Sequence, residues 1–427
     1  MKIMLTHEPP GRRCPSFVVE RIDPSVVSRR GGRREMLTPI YLDYNATTPL
    51  APEVLEAMLP HLRGDFGNPS SIHQFGRRAK AALLEARETM ASFLSASASE
   101  LVFTGSGTEA DNLAILGVVS AEEEEARPRR HLVTSTIEHH AVLNVMRHLE
   151  KQRYEVTYLP VDRSGRVLEG ALRRALRPDT LLVSLMSANN ETGVVQPVKE
   201  LARISHDAGA LFHTDAVQAC GKIAVSVEES CADLLSLSAH KLYGPKGVGA
   251  LYARKGTPFK PVFRGGGQER SRRPGTENVA GIVGLAEAVL RAGALLTEES
   301  ARLLALREEL EVAVLREIPG SHLNGEGCER TPNTANFRFD DVDGEDLVKR
   351  LDREGFALST GAACSAGAIA PSHVLCAMGL TPREVQGSIR VSLGRATRAE
   401  DTRAFAAALG KAVGIARANP RSEAASA

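Results

Sequence analysis

Two ionisable side chains follow apolar, β-rich runs of the sequence, at the points where buried strands would end. Asp215 follows the run 210–213, and Lys241 follows the run 234–238. A lysine held partly out of water has a lowered pKa and can form a Schiff base, although it could instead cap carbonyl groups or pair with Asp215. A buried aspartate needs a partner such as a protonated pyridine nitrogen, unless it caps the next helix. Taken singly, each position allows a catalytic or a structural interpretation.

A glycine-rich turn at 104–109 follows a third apolar run and leads into a helical pattern. Gly105 and Gly107 permit a tight turn, Ser106 and Thr108 add hydroxyl groups, and free amides at the positive end of a helix bind phosphate. Such a turn is often only structural. A phosphate site, an imine-forming lysine and a carboxylate for a ring nitrogen together meet the needs of pyridoxal 5'-phosphate (PLP). The three motifs therefore predict a PLP site.

Three further positions carry side chains that could act beside such a cofactor. His139 follows an apolar run and could stack on a pyridine ring, whereas the spacing of His139 and His140 fits a metal site poorly, so we expect no metal. Asn190 lies in a polar turn and could bind the cofactor or a substrate carboxylate. Arg390 lies inside an apolar run and could bind a carboxylate through two hydrogen bonds, or form an ordinary interior ion pair.

Cys364 lies in the stretch Gly361-Ala362-Ala363-Cys364-Ser365-Ala366-Gly367, which consists of small residues. A buried cysteine usually packs as a small hydrophobic side chain, and this is the expectation for Cys220, Cys231 and Cys376. Small neighbours offer Cys364 little to pack against and are typical of a mobile loop. The stretch therefore favours a nucleophilic or sulfur-carrying role for Cys364.

Strand-like and helical patterns alternate from residue 40 onward, which predicts a mainly parallel sheet of seven strands covered by helices. A long helical pattern over 281–318 follows, and then a shorter mixed unit. The fold class is thus α/β, with a smaller α+β C-terminal domain. The expected organisation is a disordered extension at 1–36, an arm at 37–51 joining the small domain, a large cofactor-binding domain at 52–297, a small domain carrying the Cys364 loop at 298–419, and a flexible tail at 420–427.

The overall composition excludes several classes of partner. A formal charge of +1 over 427 residues gives no field that would attract nucleic acid or an anionic membrane. No run approaches the ~18 apolar residues of a membrane span. The six cysteines include no C-x-x-C pair, which argues against zinc and disulfide frameworks and favours a reducing cytoplasm.

Six segments, in the same order, resemble one family. The chain is similar to the cysteine desulfurases of the NifS/IscS group, members of the class V aminotransferase superfamily with the type I PLP fold. The matching segments are Tyr41-Leu42-Asp43-Tyr44-Asn45-Ala46-Thr47-Thr48-Pro49, Gly67-Asn68-Pro69-Ser70-Ser71-Ile72-His73, Asn189-Asn190-Glu191, Ser238-Ala239-His240-Lys241, Arg273-Pro274-Gly275-Thr276 and Gly361-Ala362-Ala363-Cys364.

The resemblance implies a set of cofactor-binding residues. They are Gly107, Thr108, His139, Asn190, Asp215, Gln218, Ser238, His240, Lys241 and, reaching in from the second subunit of a homodimer, Thr276. Lys241 would carry PLP as a Schiff base, Asp215 would pair with the ring nitrogen, and Gln218 would contact the ring oxygen. His139 would stack on the ring.

The resemblance also implies the reaction, conversion of L-cysteine to L-alanine. Asn45, Asn190 and Arg390 would bind the substrate, Lys241 would remove its α-proton, and Cys364 would take its sulfur as a persulfide. The sulfur would then pass to an acceptor protein, either an iron–sulfur scaffold or a sulfur carrier. The alternatives are a selenocysteine lyase or another class V enzyme and, outside enzymes, an inactive scaffold protein.

Overall fold

The computed structural model describes residues 39–360 and 371–418. The expected extension at 1–36, the segment containing Cys364 and the tail at 420–427 lie outside the described residues, so these three predictions stay predictions. The described residues belong to one compact unit that begins at Pro39.

Strands and helices alternate along the chain as the sequence predicts. The strands of the described residues are β1 Ile40–Tyr41, β2 Leu101–Thr104, β3 His131–Ser135, β4 Glu155–Leu159, β5 Thr180–Ser184, β6 Leu211–Asp215, β7 Leu234–Ser238, β8 Gly249–Ala253, β9 Ser321–Leu323, β10 Thr334–Phe339, β11 Phe356–Ala357 and β12 Ser388–Ser392. Their helices are α1 Pro52–Arg63, α2 Gln74–Leu94, α3 Gly107–Glu122, α4 His140–Glu150, α5 Glu169–Ala175, α6 Val198–Asp207, α7 Val227–Ser230, α8 Gln268–Ser271, α9 Val279–Glu317, α10 Gly344–Arg353, α11 His373–Ala377, α12 Pro382–Gln386 and α13 Ala399–Ala418.

Seven strands form one sheet in the order β2-β8-β7-β6-β5-β3-β4. The pairs among β3 to β7 are parallel, and β8 runs antiparallel to both of its neighbours. Most of these strands are buried along their whole length, as expected when helices cover both faces of a parallel sheet. The α/β prediction with a mainly parallel seven-stranded sheet is confirmed.

Two smaller sheets follow the large one. Strands β12, β10 and β9 form an antiparallel sheet, and β1 pairs in parallel with β11. A second core of buried side chains, including Phe337, Leu347 and Phe405, packs these strands against α10 and α13. This is the α+β arrangement that the sequence predicts for the C-terminal part, while the exact domain boundaries remain a prediction.

The 39-residue helix α9 connects the two cores. Leu285 and Val289 pack in the core beside the large sheet, and Leu310 and Val314 pack in the core of the smaller one. Among the described helices, α9 alone is long and apolar enough to cross a membrane by length and composition, yet 56% of its most apolar 18-residue window is buried inside the protein.

The carboxyl ends of neighbouring strands meet at one edge of the large sheet. Strand β6 ends at Asp215, and β7 ends at Ser238, followed by a single 3-10 turn, Ala239–Lys241. Strand β2 leads through Gly105 and Ser106 into α3, and β3 leads into α4. Parallel strand direction therefore brings together the polar residues that follow each strand, as in other open α/β sheets.

Candidate active site

A cavity of about 330 Å³ lies at this edge of the sheet. It collects eleven of the residues proposed from the sequence: Asn45, Gly107, Thr108, His139, Asn190, Asp215, Gln218, Ser238, His240, Lys241 and Arg390. Their positions span about 350 residues of sequence, so only the folded chain brings them together. Two proposed residues are not among its lining: Thr276 is exposed, and Cys364 lies outside the described residues.

The glycine-rich turn forms the amino end of α3 at one side of the cavity. Ser106 is the N-cap, and its hydroxyl oxygen accepts a hydrogen bond of 3.0 Å from the Glu109 amide. A Cβ atom at Gly107 would lie 2.8 Å from Val217 Cγ2 and 3.2 Å from Ser238 Cβ, so a larger residue here would force Val217 to shift. The Ser238 hydroxyl is buried and has no hydrogen-bond partner among the described residues. Helix end and hydroxyl together suit an anion such as phosphate.

Asp215 faces the cavity from the end of β6. Burial raises the pKa of its carboxyl group to about 6, and the charge of Lys241 opposes this rise. The carboxylate accepts a 2.9 Å hydrogen bond from the Val217 amide within a turn, and no helix begins there. The helix-cap interpretation is therefore wrong at this position, and the buried carboxylate suits a cationic partner in the cavity.

Lys241 enters the cavity from the turn after β7. Its ammonium group donates to the carbonyl oxygens of Asn45, at 2.6 Å, and Ala46, at 2.7 Å. Lys241 therefore does bind carbonyl oxygens, which was one structural interpretation of the sequence. These carbonyl groups belong to the segment after β1 and not to the end of a helix. They hold the amine at the cavity wall, where an aldehyde could reach it.

His139 is the N-cap residue of α4. Its Nδ1 atom accepts a 3.1 Å hydrogen bond from the Ala141 amide, so the neutral ring carries its proton on Nε2. Burial lowers the pKa of His139 to about 4, helped by the charges of Lys241 and the neighbouring histidines. The imidazole is therefore neutral near pH 7, and a neutral ring can lie flat on another aromatic ring without a charge penalty.

Arg390 lies on β12 and is 3% exposed. One guanidinium nitrogen donates to Asp43 Oδ1 at 2.7 Å and another to the Asn190 carbonyl at 3.0 Å. The interior ion pair that the sequence left open is thus present. The Nε atom has no hydrogen-bond partner among the described residues, and the side chain still lines the cavity. Arg390 is consequently fixed by Asp43 and can still bind a carboxylate.

Known proteins resemble the chain over most of its length. The model of the family "Aminotransferase class-V" matches residues 40–405. The chain belongs to the class V aminotransferase family. Within it, the chain is 50% identical to the cysteine desulfurase IscS of Dictyoglomus turgidum, over 86% of this chain and 92% of the relative, and 48% identical to the cysteine desulfurase IscS of Methanosarcina thermophila, over 85% and 89%.

Solved structures give the same placement within the class V aminotransferases. A NifS-like protein superposes with a TM-score of 0.83 at 38% identity, covering 88% of this chain and all of that one. The structure of SspA in complex with cysteine superposes with a TM-score of 0.72 at 36% identity, covering 83% and 98%. The chain is therefore a class V aminotransferase of the cysteine desulfurase group, as its motifs indicate.

The family depends on PLP, and the cavity of this class V aminotransferase fits that group. The unpartnered Ser238 hydroxyl and the amino end of α3 suit its phosphate, and the buried Asp215 carboxylate suits its ring nitrogen. Lys241 stands in the same cavity with an amine that can bond to the aldehyde. The residues present thus fit the phosphate, the ring nitrogen and the aldehyde of PLP.

Thr276 has a different setting from the other proposed residues. It is exposed and follows Arg273, whose guanidinium donates to Glu109 Oε1 at 2.7 Å and fixes this segment beside the amino end of α3. The three residues Glu269, Arg270 and Ser271 before it have left-handed φ angles of 48°, 57° and 62°. An exposed, firmly held segment is consistent with a role toward a second subunit, which stays a prediction.

Sequence reasoning missed a set of buried polar residues behind Asp215. Asp111 on α3 lines the cavity, and its Oδ1 atom lies 3.6 Å from His213 Nε2. Burial lowers the pKa of His213 to about 3, and burial together with Asp215 raises the pKa of Asp111 well above its usual value. The His213 imidazole is therefore neutral near pH 7, and the raised pKa of Asp111 favours its uncharged form beside Asp215.

Glu138 is a second buried carboxyl group that the sequence did not single out. Its Oε1 atom accepts hydrogen bonds from Ser135 Oγ at 2.5 Å and from the Met186 amide at 3.1 Å, while Oε2 has no partner among the described residues. Burial raises its pKa from 4.5 to about 8. The acid is therefore protonated in the folded protein at pH 7, next to His139 in sequence.

We expect Glu138→Gln to flatten the dependence of stability on pH. Between about pH 4.5 and 8 the unfolded chain releases the Glu138 proton and the folded chain keeps it, so stability falls as pH rises, by up to about 1.4 kcal/mol per pH unit. Glutamine mimics the protonated acid and removes this contribution. Urea unfolding from pH 5 to 8 measures the difference between variant and wild type, and the exposed Glu88→Gln serves as the control. Parallel curves for Glu138→Gln and wild type would contradict the assigned protonation.

Proposed function

We propose that this cysteine desulfurase uses PLP to convert L-cysteine to L-alanine, with the sulfur passing to Cys364 and then to an acceptor protein. The observation that carries the proposal is the cavity itself, which places Lys241, Asp215 and the amino end of α3 around one volume of about 330 Å³. When bound there, PLP supplies a sink for the electrons left at the substrate α-carbon.

The binding roles proposed for the chain divide between cofactor and substrate. Thr108, Ser238 and His240 would hold the phosphate, Gln218 would donate to the ring oxygen, and His139 would stack on the ring. For the substrate, Arg390 and Asn190 hold the α-carboxylate, and Asn45 supports the wall of the cavity that carries Lys241. Fixed donors of this kind orient the substrate before reaction, which removes an entropic part of the barrier.

The chemical roles proposed belong to Lys241 and Cys364. The Lys241 amine takes the α-proton of the bound substrate. The Cys364 thiolate attacks the substrate sulfur: an S–S bond forms, the C–S bond breaks, and its electron pair remains on the carbon fragment, which is protonated to alanine. The balance is one cysteine plus one enzyme thiol giving one alanine plus one enzyme persulfide, with no external oxidant or reductant.

We also propose a homodimer in which Thr276 reaches the phosphate site of the second subunit. We further propose that the protein is cytoplasmic and that the sulfur acceptor is an iron–sulfur scaffold or a sulfur carrier. The exposure of Thr276 and its absence from the lining of its own chain's cavity support the shared site. Static light scattering of the purified protein tests the dimer, since a monomer with full activity would contradict it.

The decisive experiment supplies the purified, PLP-loaded protein with L-cysteine labelled on its three carbons and with a thiol reductant. We expect labelled alanine and sulfide in a one-to-one ratio. If the labelled product is pyruvate and not alanine, the enzyme catalyses an elimination reaction and the proposed sulfur transfer is wrong. Turnover of selenocysteine with no turnover of cysteine would favour the selenocysteine lyase alternative. Absence of both activities would favour an inactive scaffold.

A further inference from the structure

A second lysine is buried beside the proposed catalytic lysine. Lys222 lies four residues after Gln218 and is 9% exposed. The chain contains only 11 lysines among 427 residues, and removing an ammonium group from water is costly, so a buried lysine calls for a physical reason. Burial and the charges of Lys241 and Arg390 lower its pKa well below the usual value. Within the described residues, no carboxylate forms an ion pair with it.

The partners of Lys222 are both side-chain amides of the cavity wall. Its Nζ atom donates to Asn45 Oδ1 at 3.2 Å and, over a shorter distance, to Gln218 Oε1. Because the Nζ atom donates to both partners, each amide turns its oxygen toward Lys222. Lys222 thereby supports this orientation of both amides, together with the Asn45 carbonyl oxygen that accepts from the Gln218 nitrogen.

The orientation of Gln218 determines what this side chain offers to the cavity. Its oxygen is engaged by Lys222, and its nitrogen donates one hydrogen to the Asn45 carbonyl at 3.0 Å. One N–H group of Gln218 remains, and Gln218 lines the cavity. Because the oxygen is turned toward Lys222, the remaining N–H group is what Gln218 offers the cavity, and a hydrogen bond to the oxygen polarises the amide and strengthens that donor.

We propose that Lys222 is a positioning residue of this site: by holding the amide oxygen of Gln218, it keeps an N–H group of Gln218 available as a donor to the ring oxygen of bound PLP. The inference rests on the proposed function. A donor at this point favours the ionised form of the ring oxygen. Lys222 itself touches neither cofactor nor substrate, and its effect passes through Gln218 and the wall formed by Asn45.

The test measures PLP affinity and the visible spectrum of Lys222→Met, which keeps most of the length of the side chain and removes its donors. We expect the PLP dissociation constant to rise about tenfold, in line with loss of a hydrogen bond to a charged group. At fixed pH, the long-wavelength band of bound PLP should lose intensity to a shorter-wavelength band. The exposed Lys199→Met is the matched control and should change neither quantity.

A double-substitution cycle separates positioning from a merely structural role. In a Gln218→Leu background, Lys222→Met should change the PLP dissociation constant by less than about twofold and leave the band unchanged, because the residue it acts through is gone. Lys222→Gln keeps an N–H donor and should retain most of the wild-type spectrum even if Lys222→Met folds poorly. Gln218→Leu removes one hydrogen-bond acceptor of the buried Lys222 amine. Adding Lys222→Met to the Gln218→Leu variant should therefore raise the unfolding midpoint of that variant.

Wild-type affinity and spectrum in Lys222→Met would overturn the inference, as would an undiminished effect in the Gln218→Leu background. The wild-type protein separates these results from failure of the proposed function. If wild type binds PLP and yields a borohydride-sensitive band that Lys241→Ala lacks, the cofactor assignment stands whatever Lys222→Met does. If wild type yields no such band, the proposed function itself fails.

Discussion

Lys241→Ala should lower production of alanine from cysteine by at least about 100-fold, the smaller end of what a positioned general base contributes. The reason is the position of the Lys241 amine, which lies in the cavity with Asp215 and His139. The carbonyl oxygens of Asn45 and Ala46 hold it there. The variant should also lack the covalent link to PLP. Mass spectrometry after borohydride reduction measures that link directly.

Lys246→Ala is the matched control for this substitution. Lys246 lies five residues farther along the same loop, is exposed, and is absent from the lining of the cavity. It should keep both the covalent link and wild-type turnover. Sulfide release at the wild-type rate by Lys241→Ala, or a reduced PLP adduct at another lysine, would refute the role assigned to Lys241.

The sequence predicted the layered fold because periodicity and strand ends are local signals. The predicted runs 210–213 and 234–238 lie within two residues of β6 and β7, since such apolar runs are buried on both faces. No local pattern in the sequence predicts the left-handed turn at Glu269–Ser271. It depends on a buried ion pair between Arg87 and Glu269, at 2.5 Å, and the two partners lie 182 residues apart.

The site was predicted where residue type and local setting agreed. Asp215 ends β6 and Lys241 ends the short turn after β7, so their place at one edge of the sheet followed from topology. Glu138, Asp111 and Lys222 were missed, because burial of an ionisable group depends on what packs against it from distant segments. Lys222 did carry a weak signal, as one of few lysines and only four residues after Gln218.

The cysteines also show that burial is hard to predict from the local sequence. Cys220 is buried as expected, whereas Cys231 is only half-buried and Cys376 is exposed, so the expectation of burial was wrong for Cys376. Cys376 lies in the short helix α11, whose neighbouring Val374 and Leu375 face the core and leave Cys376 on the outer side. An exposed free thiol near the end of the Cys364 segment provides a useful comparison for sulfur transfer.

Cys364→Ser should abolish persulfide formation and lower sulfide release by at least about 100-fold, as expected when a nucleophile is removed. Its neighbours in sequence are glycine, alanine and serine, so loss of the sulfur atom should change the free energy of unfolding by no more than about 0.5 kcal/mol. PLP binding should persist, because Lys241, Asp215 and the turn before α3 are unchanged. The prediction thus separates sulfur transfer from cofactor chemistry.

Cys376→Ser is the control, since it removes an exposed thiol only twelve positions away along the chain. After treatment with L-cysteine and no added thiol, peptide mass spectrometry of wild type should find one additional sulfur atom on the peptide containing Cys364. The same adduct should persist in Cys376→Ser and vanish in Cys364→Ser. An adduct on Cys376, or wild-type sulfide release by Cys364→Ser, would show that a different thiol carries the sulfur. The roles assigned to Lys241 and Asp215 would be unaffected by that result.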